Sequence, residues 1–142
     1  MTAKEELSQY LDAKGLVEEA LEDYQKYKER AEKITAIISD MPKPSGINSD
    51  KVGNNASAMA DLNQQYVDRF IRAEQKRFFV SERLDAIKNP YRELLRKKYI
   101  EDLSLERIAC DMGYSYDRMK HMHGEALEVY RKAYNLEKKR ED

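Results

Sequence analysis

The stretch from Leu103 to Leu127 constrains the fold of this chain most, because it fits two short helices joined by a tight turn. The first helix pattern follows Ser104, whose hydroxyl can accept a hydrogen bond from an amide of the first helical turn. Gly113 follows that helix where the chain must turn, and glycine tolerates the positive φ that such a turn can require. The apolar residues between them share one helix face: Leu105, Ile108, Ala109 and Met112.

The second helix pattern begins after Ser115, another candidate N-cap residue. Its apolar residues form an inward stripe of Met119, Met122, Ala126 and Leu127. Its polar and small residues fall on the other side: Tyr116, Asp117, Lys120, His121 and Gly124. The two patterns together predict a helix-turn-helix in which the helix from Tyr116 onward is the recognition helix.

The run LSLERIACDMGYSYDRMKHMHGEAL resembles region four, the C-terminal DNA-binding region of bacterial sigma factors. Shared features are the Leu-Ser opening, the Ile-Ala pair, the apolar residue before Gly, and the recognition helix that ends in Ala-Leu. The whole chain also resembles the ArpU-like late transcriptional regulators of prophages and their uncharacterised relatives. In those proteins a segment like Ser39-Asp40-Met41-Pro42-Lys43 separates two long helices ahead of a sigma-like C-terminus. The resemblance implies DNA binding and control of phage genes.

Composition favours a water-soluble helical protein of a reducing cytoplasm, and the resemblance to prophage proteins implies that of a bacterial host. The 142 residues include only five Gly and three Pro, 37% are charged, and the mean hydropathy is −0.89. No apolar run approaches the ~20 residues that span a membrane, and no signal peptide is recognised. The single cysteine, Cys110, excludes an internal disulfide, suits a reducing compartment and is expected to be partly buried.

Charge is distributed unevenly along the chain. Residues 1–40 contain six basic and ten acidic side chains, whereas residues 88–140 contain thirteen basic and nine acidic ones. Positive charge therefore accompanies the predicted helix-turn-helix, which is the polarity that DNA binding requires.

Long helices account for residues 1–88, the predicted N-terminal oligomerisation region. Gly15 is either a break or an interior glycine ahead of an amphipathic helix over Leu16–Ile38. Residues 41–55 hold two prolines, two glycines and three asparagines, and they predict a loop. A second long helix over Ala56–Ile87 repeats apolar residues at an average step of 3.5, which is the period of a coiled coil.

Residues 89–142 form the predicted DNA-binding domain. Asn89 is assigned as the N-cap of a scaffold helix, and Pro90 as its first residue, where the missing N–H costs nothing. The predicted fold is therefore all-α. It combines a long, coiled-coil-like N-terminal helical hairpin with a C-terminal helix-turn-helix that resembles sigma region four.

The predicted contacts with double-stranded DNA come from the recognition helix and from the two helices before it. Base edges in the major groove would be read by Tyr116, Asp117, Lys120 and His121. In the sigma resemblance these four match the groove-facing positions, but Tyr116 and His121 replace the usual polar or basic residues. The sigma promoter preference is therefore not expected to carry over. Phosphates would be contacted by Arg96, Lys97, Lys98, Arg107 and Lys120.

The sequence gives little support for a metal site or an enzyme active site. His121 and His123 are two residues apart on a helix, whereas metal-ligand pairs on a helix use spacings of three or four. The sequence contains no GxGxxG, Walker-type loop, HExxH or GxSxG motif. We therefore expect no enzyme activity, no catalytic residues, no metal and no cofactor.

The long helices predict self-association of the protein. Phe78 and Phe79 lie partly off the apolar stripe of the second long helix. We expect this surplus apolar surface to meet a partner helix in a homodimer; a monomeric bundle is the alternative.

Two other functions fit the same architecture. One is a small terminase subunit that recognises packaging-site DNA within a ring. The other is an interaction module that binds RNA polymerase or a repressor instead of DNA.

Overall fold

The computed structural model describes residues 1–40 and 49–139, and in the second range it describes side chains from residue 56 onward. Over these residues the protein is all-helical. Five helices follow one another: α1 Ala3–Asp40, α2 Ser49–Asp85, α3 Tyr91–Tyr99, α4 Leu105–Met112 and α5 Tyr116–Ala133. The prediction of an all-α protein with a long N-terminal helix is confirmed. None of the described helices is both long enough and apolar enough to cross a membrane.

The helix α1 runs through Gly15 without a break. Gly15 is therefore an interior glycine, which was one of the two predicted alternatives. Its neighbours are mostly good helix formers, and each added residue contributes a backbone hydrogen bond to a helix already nucleated. One glycine that costs ~1 kcal/mol relative to alanine does not interrupt such a helix.

The helix α2 begins at Ser49, seven residues before the predicted start at Ala56. The predicted loop over residues 41–55 is therefore wrong for residues 49–55, and residues 41–48 lie outside the described part of the chain. Gly53, Asn54 and Asn55 are poor helix formers, but propensity is a weak prior that a propagating helix can override.

The start of α3 also differs from the prediction. Pro90 precedes the helix as its N-cap residue, the helix begins at Tyr91, and no side chain caps it. The assignment of Asn89 as the N-cap is therefore wrong. The carbonyl of Pro90 accepts the first α-helical hydrogen bond, from the Leu94 amide at 3.1 Å, so Pro90 takes the half-helical position that was assigned to Asn89.

The first of two compact units comprises Met1–Ala13 and Ala73–Asp142. It is larger than the predicted domain of residues 89–142, because the beginning of α1 and the end of α2 share its core. Leu7 of α1 and Val80 and Leu84 of α2 are fully buried in that core. Ala3 of α1 and Ile87, just after α2, are buried there as well, and the other buried members come from the later helices: Leu94, Leu95, Tyr99, Ile108, Ala109, Met119, Met122, Ala126 and Tyr130.

The second unit comprises Lys14–Arg72, with one segment from each long helix. A hydrogen bond of 3.0 Å from Arg69 Nη1 to the carbonyl of Leu16 joins the two segments, and Ala20 is buried. Most of the predicted apolar stripe in this unit is buried or half-buried, and Ile34, Ile38 and Phe70 are its exposed members. Large apolar side chains at the surface of this unit are Leu16, Leu21, Ile34, Ile37, Ile38, Val67, Phe70 and Ile71.

Candidate nucleic-acid interface

The helices α4 and α5 are joined by a turn of three residues whose geometry the sequence predicted. The hydroxyl of Ser104 accepts a hydrogen bond from the Arg107 amide at 3.2 Å, and the hydroxyl of Ser115 accepts one from the Arg118 amide at 3.1 Å. Gly113 ends α4 with φ at +76°, a conformation that strains any residue with a Cβ. The predictions for both N-caps and for the glycine turn are confirmed.

The inner face of α5 is buried against the helices before it. Met119, Met122 and Ala126 are at most 2% exposed, as the inward stripe predicted. Ile108 and Ala109 of α4 are buried in the same cluster. This packing fixes which side of α5 remains at the surface, because side chains 100° apart around the helix cannot all face the core.

A polar contact within this packing involves His123 of α5. Its Nε2 lies 2.8 Å from the hydroxyl of Tyr99 in α3, and the two rings are stacked with centroids 5.9 Å apart. Burial raises the pKa of Tyr99 to about 12. Burial, together with the positive charges of Lys98 and Lys4, lowers the pKa of His123 to about 4. His123 is therefore a neutral packing residue at pH 7. His121, two residues earlier, is exposed to solvent.

The exposed face of α5 brings three of the predicted base-reading residues together. The Nζ atom of Lys120 lies 4.6 Å from the centroid of the Tyr116 ring and 3.4 Å from Oδ1 of Asp117. His121 is exposed on the same helix. Tyr116 is 43% exposed, so an aromatic face, a cation and a carboxylate are all accessible at the beginning of α5.

The remaining predicted phosphate-binding residues lie on α4 and α3. Arg107 is exposed, with Nε 3.3 Å from Oδ1 of Asp111 one turn later. Lys97 Nζ lies 4.0 Å from Oε2 of Glu101 and is less exposed. Lys98 is half-buried, and its positive charge helps to lower the pKa of His123.

Arg96 is directed towards α2. Its guanidinium contacts Oγ of Ser81 at 3.3 Å and Oδ1 of Asp85 at 3.2 Å. It also lines a recess of about 210 Å³ that includes Phe78 and Ile100. The structure therefore does not bring Arg96 to the group on α5.

Two exposed residues beside the turn were missed in the sequence assignment. Tyr114 is 39% exposed immediately before the Ser115 cap, so that two tyrosines flank the cap at the surface. Arg118 is exposed in the first turn of α5, with Nη1 3.9 Å from Oε1 of Glu125. Their position next to a predicted N-cap was the signal that could have identified them.

Cys110 also differs from the expectation. It is exposed on α4 and not partly buried, because the neighbouring Ala109 takes the packing position on that helix. The thiol therefore has no part in the core of the first unit.

Comparison with known proteins adds no assignment. No family model, no curated protein and no solved structure matches the chain. The resemblance to sigma region four and to the ArpU-like regulators therefore stays a prediction from residues 103–127 and from the overall order of helices.

Proposed function

We propose that the protein binds double-stranded DNA in a sequence-specific manner, as a phage or prophage transcriptional regulator that inserts α5 into the major groove. One observation carries this proposal: α5 follows a capped, tight turn after α4, buries one face, and presents Tyr116, Asp117, Lys120 and His121 on the other. Helix-turn-helix proteins dock with the beginning of the second helix on base edges, and these residues occupy that end of α5.

The chemistry of the exposed group suits base edges. Lys120 can donate to the acceptors of guanine, and Asp117 can accept from the amino group of cytosine. In the free protein these two side chains form an exposed ion pair at 3.4 Å. Exposed pairs of this kind contribute only ~0–1 kcal/mol, so DNA can replace the pair at little cost.

Phosphate contacts would supply most of the affinity. Arg107, Arg118 and the two lysines of α3 are candidates, and Tyr114 can donate its hydroxyl to a phosphate oxygen. Each phosphate contact lowers the slope of log K against log salt concentration by about 0.9. Four such contacts therefore imply a slope of about −4.

Self-association through the long helices completes the proposal. Phe78 on α2 is 66% exposed beside the recess that Arg96 and Ile100 line, so a large apolar side chain is uncovered there. A second copy of the chain would cover it, and the coiled-coil-like period of α2 suits a helical partner. A dimer would present two α5 helices to DNA, with half-sites about 10 base pairs apart or a multiple of that.

Selection from a random pool of duplex DNA tests the proposal. We expect the wild-type protein to recover a defined sequence motif and to bind it with the salt dependence given above. Recovery of no motif, together with no salt-dependent binding, would refute sequence-specific DNA recognition. Mass measurement separates the terminase alternative, because a closed ring of many subunits favours terminase and a dimer favours the regulator.

The interaction-module alternative has one observation in its favour. Three isoleucines near the end of α1, Ile34, Ile37 and Ile38, are each at least 42% exposed. Exposed apolar patches mark protein contacts. If the protein binds RNA polymerase and not DNA, these isoleucines and not the face of α5 should be protected from hydrogen exchange or labelling in the complex.

A further inference from the structure

Gly124 lies in the middle of α5 on the side that faces solvent. It follows Lys120 and His121 by one helical turn and Asp117 by two turns, so all four lie on the face opposite Met122. Glycine is the poorest helix former apart from proline. A glycine at this position therefore weakens the helix that carries the candidate DNA contacts.

The fold itself does not require glycine at this position. A Cβ at Gly124 would meet no atom of residues 1–40 or 49–139 within 4 Å, and the backbone has no positive φ there. Gly113 shows the contrast, since its φ of +76° strongly favours a residue without a Cβ. Within the described residues, neither backbone conformation nor packing accounts for the missing side chain of Gly124.

We propose that Gly124 is the point of closest approach between α5 and DNA, where the missing side chain lets the helix lie deep in the major groove. This inference rests on the proposed function. A helix with its side chains is about 10–12 Å across and the groove about 12 Å wide, so a single side chain decides how deeply the helix can enter. Glycine is the residue that allows a backbone to approach a ligand closely.

The residues on either side of Gly124 define the extent of the contact. Lys120 and His121 precede it and offer groups that bases and phosphates can bind. Glu128 follows one turn later on the same face, with Oε1 2.7 Å from Nη2 of Arg131. A carboxylate repels phosphates, so the DNA contact surface ends between Gly124 and Glu128.

Substitution at two glycines tests the inference. Gly15 is the matched control, because it is also an exposed interior glycine of a helix and a Cβ there meets no atom within 4 Å. Gly124→Ala and Gly15→Ala should both raise the melting temperature measured by circular dichroism. Binding would be measured at fixed salt with the labelled duplex that the wild-type protein recovers from a random pool.

The expected result separates the substitutions at Gly124 from the control substitution at Gly15. Gly124→Ala should bind that duplex about tenfold more weakly than the wild type, and Gly124→Leu more weakly still, whereas Gly15→Ala should bind with wild-type affinity. Wild-type affinity in Gly124→Ala would overturn the inference and leave the proposed function intact. A lower melting temperature in Gly124→Ala would also overturn it, by showing that the fold needs glycine there. If the wild-type protein itself recovers no duplex, the proposed function fails and this inference fails with it.

Discussion

The hydroxyl of Tyr130 in α5 donates a hydrogen bond of 2.7 Å to Oε1 of Glu6 in α1, across 124 residues of sequence. The same oxygen lies 3.2 Å from Nε of Arg83, whose guanidinium lies over the rings of Phe79 and Tyr134. Glu6 is 4% exposed, and a buried carboxyl group is stable only with such partners. The first residues of the chain thereby help to hold α5 by its buried face.

Removal of the Tyr130 hydroxyl should therefore destabilise the first unit. Burial and the hydrogen bond to Glu6 raise the pKa of Tyr130, so this hydroxyl remains a donor throughout the physiological range. Tyr130→Phe should lower the free energy of unfolding by about 1.5–3 kcal/mol, measured by urea titration, because the bond is made to a charged group. Tyr24→Phe in α1, whose hydroxyl has no described hydrogen bond, is the control. Equal stability of both variants would show that the bond to Glu6 contributes nothing.

The inner face of α5 can be tested at Met119, which is fully buried. Met119→Asp places a charge next to apolar neighbours such as Ile108, and we expect a loss of several kcal/mol and of cooperative melting in the first unit. DNA binding should be lost with it. Met119→Leu nearly conserves volume and should cost less than about 1.5 kcal/mol. Normal melting of Met119→Asp would mean that the buried face of α5 is misassigned.

Lys120 provides the sharpest test of the DNA contact. If Lys120 meets a phosphate, Lys120→Ala should weaken binding to cognate and random DNA alike and flatten the salt slope by about one unit. If it reads a base, ~1–3 kcal/mol of specificity should disappear while non-specific binding holds. The control is Lys26→Ala in α1, since Lys26 also forms an exposed ion pair, with Glu22 at 2.8 Å. Unchanged binding of the Lys120 variant to both DNAs would remove that residue from the interface.

His123 makes stability depend on pH. Its pKa is lowered from 6.5 to about 4 in the folded protein, by burial first and then by Lys98 and Lys4. Between these pH values the unfolded chain binds more protons than the folded one, so the free energy of unfolding falls as pH decreases from 6.5 to 4. The contribution of His123 is complete above pH 6.5 and amounts to about 1–3 kcal/mol.

Two histidine variants isolate that contribution. His123→Gln keeps an acceptor for the Tyr99 hydroxyl but does not titrate, so its stability should change less between pH 6.5 and 4 than that of the wild type. His121→Gln removes the exposed histidine and should retain the wild-type pH dependence. Parallel pH profiles for the wild type and His123→Gln would contradict the assignment.

Self-association can be tested at Phe78 without disturbing the fold. Phe78 is 66% exposed, whereas the adjacent Phe79 is half-buried with the Arg83 guanidinium 4.8 Å from its ring centroid. Sedimentation equilibrium at micromolar concentration should show a dimer for the wild type and a shift towards the 16.7 kDa monomer for Phe78→Ser. Glu82→Ser, exposed on the same helix, is the control. A single 16.7 kDa species for the wild type would refute the dimer.

Local features of the first unit were predicted correctly from the sequence. The cap hydrogen bonds of Ser104 and Ser115 and the positive φ of Gly113 involve only residues within four positions along the chain. Their effect can therefore be predicted from the neighbouring residues alone. The buried face of α5 follows from the spacing of Met119, Met122 and Ala126, because helical periodicity is also a local property. The beginning of α2 was mispredicted because glycine and asparagine signal a loop only when no helix propagates through them.

The sequence by itself determined the caps of α4 and α5 and the exposed face of α5 that carries Tyr116, Asp117 and Lys120. Only the tertiary structure decided that Glu6 and Leu7 lie against α5, that Arg96 is directed towards α2, and that His123 is half-buried while His121 is exposed to solvent. These outcomes depend on which segments meet in space. Such contacts arise from the burial and pairing of many residues that are far apart in the chain. The spacing of apolar residues within one helix does not specify them.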